Sequence, residues 1–187
     1  MTACKLYNLI PKDIVRDVLN SGDSELDFTF LGFEDEYFLV GKYIPLNYTI
    51  VDLGCYQAAQ CYIFKNHKAY YGIDCYDKDD YNYDFHYIAP KRFKVENTTH
   101  YSETIDEFIQ NHLSQFDLDT TYFIMNAVPE KQGANKNKIF DLVKNIFIAY
   151  PSDKLKVKGI YADELEKEYY KLKEELYKKM WVYFFLN

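Results

Sequence analysis

The chain has 187 residues, 48% of them hydrophobic, which suits one globular domain with its own core. Aromatic side chains reach 19%, with 20 Tyr and 14 Phe, so many rings are expected at half-buried positions. A net charge of −7 argues against sequence-independent nucleic-acid binding, which rests on Lys and Arg neutralising phosphates, and no apolar run is long enough to cross a bilayer.

Residues 1–9 lack the apolar core of a signal peptide, so a cytoplasmic location is expected. Cysteines stand at 4, 55, 61 and 75 without a C-x-x-C pair, and are expected to be reduced thiols acting as small hydrophobes. The histidines at 67, 86, 100 and 112 show no metal-ligand spacing. The basic groups Lys91, Arg92, Lys94 and Lys131, Lys136, Lys138 read as solvated loops.

In chain order, Pro11 opens a short helix with Ile14, Val15, Val18 and Leu19, ended at Ser21-Gly22. Residues 28–43 are aromatic and acidic, with Gly32 and Gly41 as turn points, and read as a hairpin or lid. The first 43 residues thus form an N-terminal extension, and 44–187 the core of a single domain. Residues 49–53 read as a buried strand, followed by a turn at Gly54. Residues 57–65 read as a short helix with Ala58, Ala59, Tyr62 and Ile63 on its apolar face, stopped at Asn66. Residues 69–73 form a second strand, with Asp74 at its carboxyl end. A parallel pair of this kind puts the turn and Asp74 on one sheet edge, where ligands of open α/β sheets bind.

Residues 75–84 are an acidic, tyrosine-rich loop, and 92–96 a third strand at the sheet edge. Thr104 and Glu107 match a capping box. Behind it Ile105, Phe108, Ile109, His112, Leu113 and Phe116 share one helix face, so His112 is expected to be packed and hydrogen-bonded. Residues 121–125 form a strand ending at Asn126. Asn135 caps a helix with Ile139, Leu142, Val143, Ile146, Phe147 and Tyr150 on its apolar face, ended by Pro151. Residues 155–160 alternate as a strand with one wet face. Residues 162–180 form a helix with Leu165, Tyr169, Leu172 and Leu176 on one stripe, and 181–186 a closing buried strand. Strands and helices alternate, which implies an α/β fold with a parallel sheet and helices on both faces.

The heptapeptide Asp52-Leu53-Gly54-Cys55-Tyr56-Gln57-Ala58 resembles the D-x-G-x-G-x-G loop of class I S-adenosylmethionine-dependent methyltransferases. Asp74 follows Asp52 by 22 residues, where that family has an acid for the ribose hydroxyls. Tyr56 and Ala58 stand at the second and third glycines. The resemblance covers residues 44–150 and implies a Rossmann-like fold with S-adenosylmethionine as cofactor. A full domain of the family ends with two further strands in a hairpin. One is clear here, so the sheet looks shortened at the C-terminus.

The resemblance implies a site as well. Asp74 would accept the ribose hydroxyls, and the turn at Gly54, with Cys55 and Tyr56, would offer N–H groups to the amino-acid end. Asp52 would orient that turn. Cys75 flanks it. Glu96 or Asn97 would meet the adenine edge. Asn126 falls where the family keeps its catalytic loop. Of the [DN]-P-P-[YF] motif found there in enzymes that methylate base or Gln amino groups, only Asn126 matches, so that chemistry is not expected. The full G-x-G-x-x-G of nicotinamide cofactor sites is absent as well. Methyl transfer depends chiefly on alignment, and no catalytic residue is named. The acceptor would be a small molecule or a protein. The second reading is a non-catalytic methyltransferase-like scaffold that binds another macromolecule.

Overall fold

The computed structural model describes residues 9–14, 34–56, 58–75, 91, 93–126, 128, 136–149 and 155–185, with 177–185 as backbone only. Cys4, His86, Asn135, Tyr150, the stretch 15–22 and the acidic loop 76–84 lie outside the described residues.

In chain order the elements are α1 (Glu34–Tyr43), β1 (Thr49–Leu53), a 3-10 turn (Ala59–Tyr62), β2 (Ala69–Ile73) and β3 (Thr98–Tyr101). Then come α2 (Ile105–His112), β4 (Thr121–Asn126), α3 (Lys136–Leu142), β5 (Ile146–Ala149), β6 (Lys156–Lys158) and α4 (Ala162–Phe185). The sheet runs β3-β2-β1-β4-β5-β6, with β6 alone antiparallel, against β5. This is a Rossmann-like, doubly wound α/β order in which the chain reverses direction across the sheet at β1. As expected, β1 is central and parallel to β2 and β4. Asp52 pairs with Gly72 on one side and Ile124 on the other.

Every residue of β1, β4 and β5 is buried, as in strands covered on both faces. Alternation along each strand then splits the core in two. On the first face Ile50, Tyr70, Tyr122, Ile124 and Phe147 pack with Tyr37 and Val40 of α1 and with Leu165 and Tyr169 of α4. On the second, Val51, Leu53, Ile73, Phe123 and Ile148 pack with Ile105, Phe108 and Ile109 of α2 and with Ile139 of α3. The capping box is present: Glu107 N–H donates to Thr104 Oγ1, and Thr104 N–H to the Glu107 carboxylate. Buried Glu36 of α1 and Lys173 of α4 form an ion pair that ties the two helices of the first face together.

Five elements depart from the sequence-based expectation. Residues 34–43 are helix rather than hairpin, and Gly41 lies inside it at a close approach. A Cβ there would stand 3.0 Å from Ile63 Cγ2. The helix expected over 57–65 is a run of three-residue turns instead. Ala58 starts it in the left-handed region, and Cys61, Ile63, Phe64 and His67 each donate to the carbonyl three residues back. The third strand lies at 98–101 rather than 92–96, because Lys94 (φ 54°) and Asn97 (φ 55°) are left-handed and break any earlier extension. The helix expected to run to Tyr150 stops at Leu142. Ile146 and Phe147, which fell on its spacing, open the fully buried β5. Residues 181–185, expected in a closing strand, are helix instead, since α4 continues to Phe185 with no Gly or Pro to stop it, and Leu186 lies outside the described residues.

Candidate functional site

The carboxyl ends of β1, β2 and β4 converge at one edge of the sheet. Gly54 follows β1, Asp74 follows β2, and Asn126 ends β4, the last two buried. The loop leaving β1 has an unusual backbone. Gly54 (φ 83°), Tyr56 (φ 49°) and Ala58 (φ 57°) are all left-handed. Side-chain-bearing residues avoid that region at about 1–2 kcal/mol each. The three positions are those of the glycines in the D-x-G-x-G-x-G pattern, and the loop keeps a glycine-like path with glycine at one of them.

The loop is tied down from β2. Gly54 N–H and Cys55 N–H both donate to the Ile73 carbonyl, at 2.7 and 3.1 Å. Tyr56 N–H donates to Asp74 Oδ2 at 2.7 Å. Asp74 is thus at the expected edge and already holds the loop through one oxygen. A carboxylate is an acceptor at both oxygens, the type of group to which N–H and O–H donors bond. Cys55 is buried in the core, its thiol donating to the Tyr56 carbonyl at 3.6 Å, while Tyr56 and Cys75 are half-buried. The small-hydrophobe role expected of the thiols fits Cys55 and Cys61, both fully enclosed.

Asp52 sits one layer below, on the first face, with no exposed surface. Tyr37 of α1 donates to its Oδ1 at 3.0 Å, and Tyr70 of β2 to its Oδ2 at 2.5 Å. Gln60 Nε2 donates to Oδ2 at 2.5 Å and to the Cys55 carbonyl at 2.9 Å. Burial pushes the Asp52 carboxyl up to about 6, against the three hydrogen bonds, which pull it down. The same burial, with the Asp52 charge beside them, raises the Tyr37 and Tyr70 hydroxyls well above the ordinary phenol value. Both therefore remain donors. Gln60 thus links Asp52 to the turn, since the same amide donates to the Asp52 carboxylate and to the Cys55 carbonyl.

Glu96 and Asn97 do not join this group. The Asn97 carbonyl accepts from Tyr70 N–H at the amino end of β2, Glu96 and Asn97 are exposed, and Asp74 lies at the other end of that strand, roughly 13 Å away. The displaced third strand is the cause. What β3 brings to the edge is Tyr101, whose carbonyl accepts from Asp74 N–H at 3.2 Å, and then Ser102 and Glu103. His112 is packed and hydrogen-bonded as expected, 4.4 Å from the Tyr101 ring by centroids, with Nε2 3.1 Å from Glu103 Oε1. Among the described residues no cluster of His, Cys, Asp or Glu could hold a metal.

Tyr37, Gln60, Tyr70 and Glu103 were not singled out from the sequence. A signal existed for three of them: an Asp inside an apolar strand must find donors, and buried tyrosines and a glutamine nearby supply them.

No family model matches the sequence, and no curated protein matches it. Among solved structures, a precorrin-6y C5,15-methyltransferase from Geobacter metallireducens is 14% identical, over 59% of this chain and 58% of that one, with a TM-score of 0.44. An rRNA methylase from Streptococcus thermophilus is 15% identical, over 62% of this chain and 69% of that one, with a TM-score of 0.43. At such identities and scores the likeness carries no argument of its own about activity.

Proposed function

We propose that the chain binds S-adenosylmethionine at the carboxyl edge of β1 and β2 and acts as a methyltransferase. The observation that carries this reading is the left-handed backbone at 54, 56 and 58. Two of these residues bear side chains, and non-glycine residues in that region cost about 1–3 kcal/mol each. Such strain concentrates where a ligand needs a particular backbone path, and Asp74 stands beside this one.

The residues fit the ribose end of that cofactor: Asp74 is buried, stands at the edge, and is the type of acceptor that a diol bonds. When bound, the cofactor would supply an electrophilic methyl group on a sulfonium. The chain's part is to hold the donor in line with the acceptor, which requires no dedicated acid or base. A small molecule or a protein is the favoured acceptor, since a net charge of −7 opposes phosphate binding. Among the described residues Cys55, Cys61 and Cys75 are not in disulfides, which suits a reducing, cytoplasmic setting.

A specific observation favours a second reading, the non-catalytic scaffold. The N–H groups of Gly54, Cys55 and Tyr56, which an amino-acid carboxylate would use, are bonded to Ile73 and Asp74. Titration calorimetry with S-adenosylmethionine and S-adenosylhomocysteine separates the readings. A saturable heat that Asp74→Ala weakens by about 1.5–3 kcal/mol supports the enzyme. No heat at millimolar ligand leaves the scaffold.

A further inference from the structure

Resting on the reading of residues 54–58 as the cofactor loop, we infer that Gln60 is its positioning residue, and that α1 sets the loop through the relay Tyr37–Asp52–Gln60–Cys55. The Gln60 side chain has two N–H donors and lies between two acceptors, the Asp52 carboxylate at 2.5 Å and the Cys55 carbonyl at 2.9 Å. Both neighbours accept, so the amide nitrogen must face them. On the far side of Asp52 the Tyr37 hydroxyl donates at 3.0 Å, and it lies 3.5 Å from Gln60 Nε2. All four groups of the relay are buried. Unscreened hydrogen bonds to a carboxylate in such a place are strong, and an unmade one is costly.

The relay explains how the loop is held from both sides. Its N–H groups are pinned by β2, at Ile73 and Asp74, and its Cys55 carbonyl is pinned from below by Gln60. The left-handed Ala58 turns the chain back under the loop, so that Gln60, two residues later, faces Cys55. Tyr37 adds a distant element. It sits on α1, which is anchored independently on α4 by the Glu36–Lys173 pair. A shift of α1 would therefore be felt at the Cys55 carbonyl without any contact between α1 and the ligand.

The test is hydrogen exchange of individual backbone amides in the ligand-free protein, which needs no cofactor. Gln60→Met keeps the volume and removes both donors. Protection at Gly54, Cys55 and Tyr56 should fall about tenfold, while Tyr122 to Met125 in β4 exchange as in the parent. Tyr37→Phe, which removes one hydroxyl, should give a smaller fall at the same amides. Gln60→Glu places two carboxyls together, and these share one proton when acid is available. Protection should return near about pH 5 and be lost near about pH 8. Of the other groups facing the pair, burial raises the Tyr37 hydroxyl from α1, the Tyr70 hydroxyl from β2 and the Cys61 thiol from the turn, so these three keep their protons across that range, and Glu36 behind Tyr37 is in an ion pair with Lys173. Cys55 donates its thiol proton to Tyr56.

A space-filling role for Gln60 would instead leave Gln60→Glu at about pH 5 no better protected than Gln60→Met, and that result overturns the relay. So does loop protection unchanged in Gln60→Met. If Gln60→Met exposes β4 as well, Tyr37→Phe decides, and unchanged loop amides there reject it. Failure of the cofactor reading shows separately, as absence of S-adenosylhomocysteine binding by the parent.

Discussion

The two faces of the sheet are built differently. The second face, under α2 and α3, is an apolar layer in which Phe108, Phe123, Ile105 and Ile146 meet one another. The first face, under α1 and α4, has a similar apolar layer with a carboxylate set into it, and Asp52 there is satisfied by Tyr37, Gln60 and Tyr70. One strand, β1, feeds both faces. Val51 and Leu53 go to the dry side, Ile50 and Asp52 to the wet one. A dry layer gives stability and little else. A buried charge costs desolvation, and it persists here on the face that supports the loop. The stability of the fold and the shape of the loop are therefore expected to respond to different mutations.

The largest effect belongs to the dry face. Phe108 is fully buried between Tyr101, His112 and Phe116. Phe108→Ala should cost about 3–5 kcal/mol in urea unfolding, as for loss of a buried aromatic ring. The pH-dependent difference between Asp and Asn at position 52 should be the same in this background as in the parent, since no titrating group of the wet face is touched. A changed difference would show that the faces are not independent.

Next is the pH dependence carried by Asp52. Its folded carboxyl is pushed up to about 6 from an ordinary 3.8, so the native state holds a proton that the unfolded chain releases. The stabilisation is full below the unfolded value and is lost as pH rises through the folded one. A shift of about two units corresponds to roughly 3 kcal/mol, disappearing between about pH 4 and pH 6. Glu107 and Asp117 act in the opposite sense, since hydrogen bonds from Thr104 and Thr120 lower their carboxyls. The comparison must therefore be made against Asp52→Asn, and the difference between the two stability curves should fall with pH across that window. A flat difference would mean that Asp52 titrates as it does in the unfolded chain.

A matched pair of tyrosines tests whether the wet face is wet only around Asp52. Tyr70 and Tyr122 are both buried on that face. The Tyr70 hydroxyl donates to Asp52, while the Tyr122 hydroxyl is buried with no hydrogen-bond partner among the described residues. Tyr70→Phe should destabilise by about 1.5–3 kcal/mol, the range for a hydrogen bond to a charged group. Tyr122→Phe should be neutral or slightly stabilising, because it removes an unsatisfied polar atom. Equal losses in chemical denaturation would mean that Tyr122 has a polar partner too.

How much of this was legible depended on whether local pattern and tertiary role agreed. Strands β1, β2 and β4 were readable because short, mostly apolar segments of five or six residues between turn signals suit a buried strand. Strand β5 was hidden, since Ile146 and Phe147 also fall on the helical spacing of Ile139, Leu142 and Val143. The pattern gave no reason to stop before Asn145, whose side chain in the fold bonds the Leu118 and Thr121 carbonyls and Ile160 N–H. The aromatic run after Met180 has strand propensity, yet a helix with no breaker simply continues through it. At the candidate site, Asp52, Gly54 and Asp74 were picked out by the family resemblance, and the fold brings Gly54 and Asp74 to one edge with Asp52 beneath. The left-handed path at Tyr56 and Ala58 was not, because neither residue type reports a positive φ.

The smallest effect isolates that path. Ala58 and its neighbour Ala59 are both buried, so replacing either by glycine removes one buried methyl group. That loss, about 0.8 kcal/mol, is common to both, as is the entropy of a new glycine, about 0.5–1 kcal/mol. The backbones differ. Ala58 stands at φ 57°, ψ 29°, while Ala59 lies within the 3-10 turn. At Ala58 glycine relieves a left-handed alanine, worth about 1–2 kcal/mol, and this offsets the two costs. Ala58→Gly should therefore be near neutral, and Ala59→Gly should lose roughly 1–2 kcal/mol, in urea unfolding of the ligand-free protein. The contrast needs no ligand and asks only whether the loop holds a glycine's path with an alanine in it. Equal destabilisation by both substitutions would mean that Ala58 carries no such strain, and the observation behind the proposed cofactor site would fall with it.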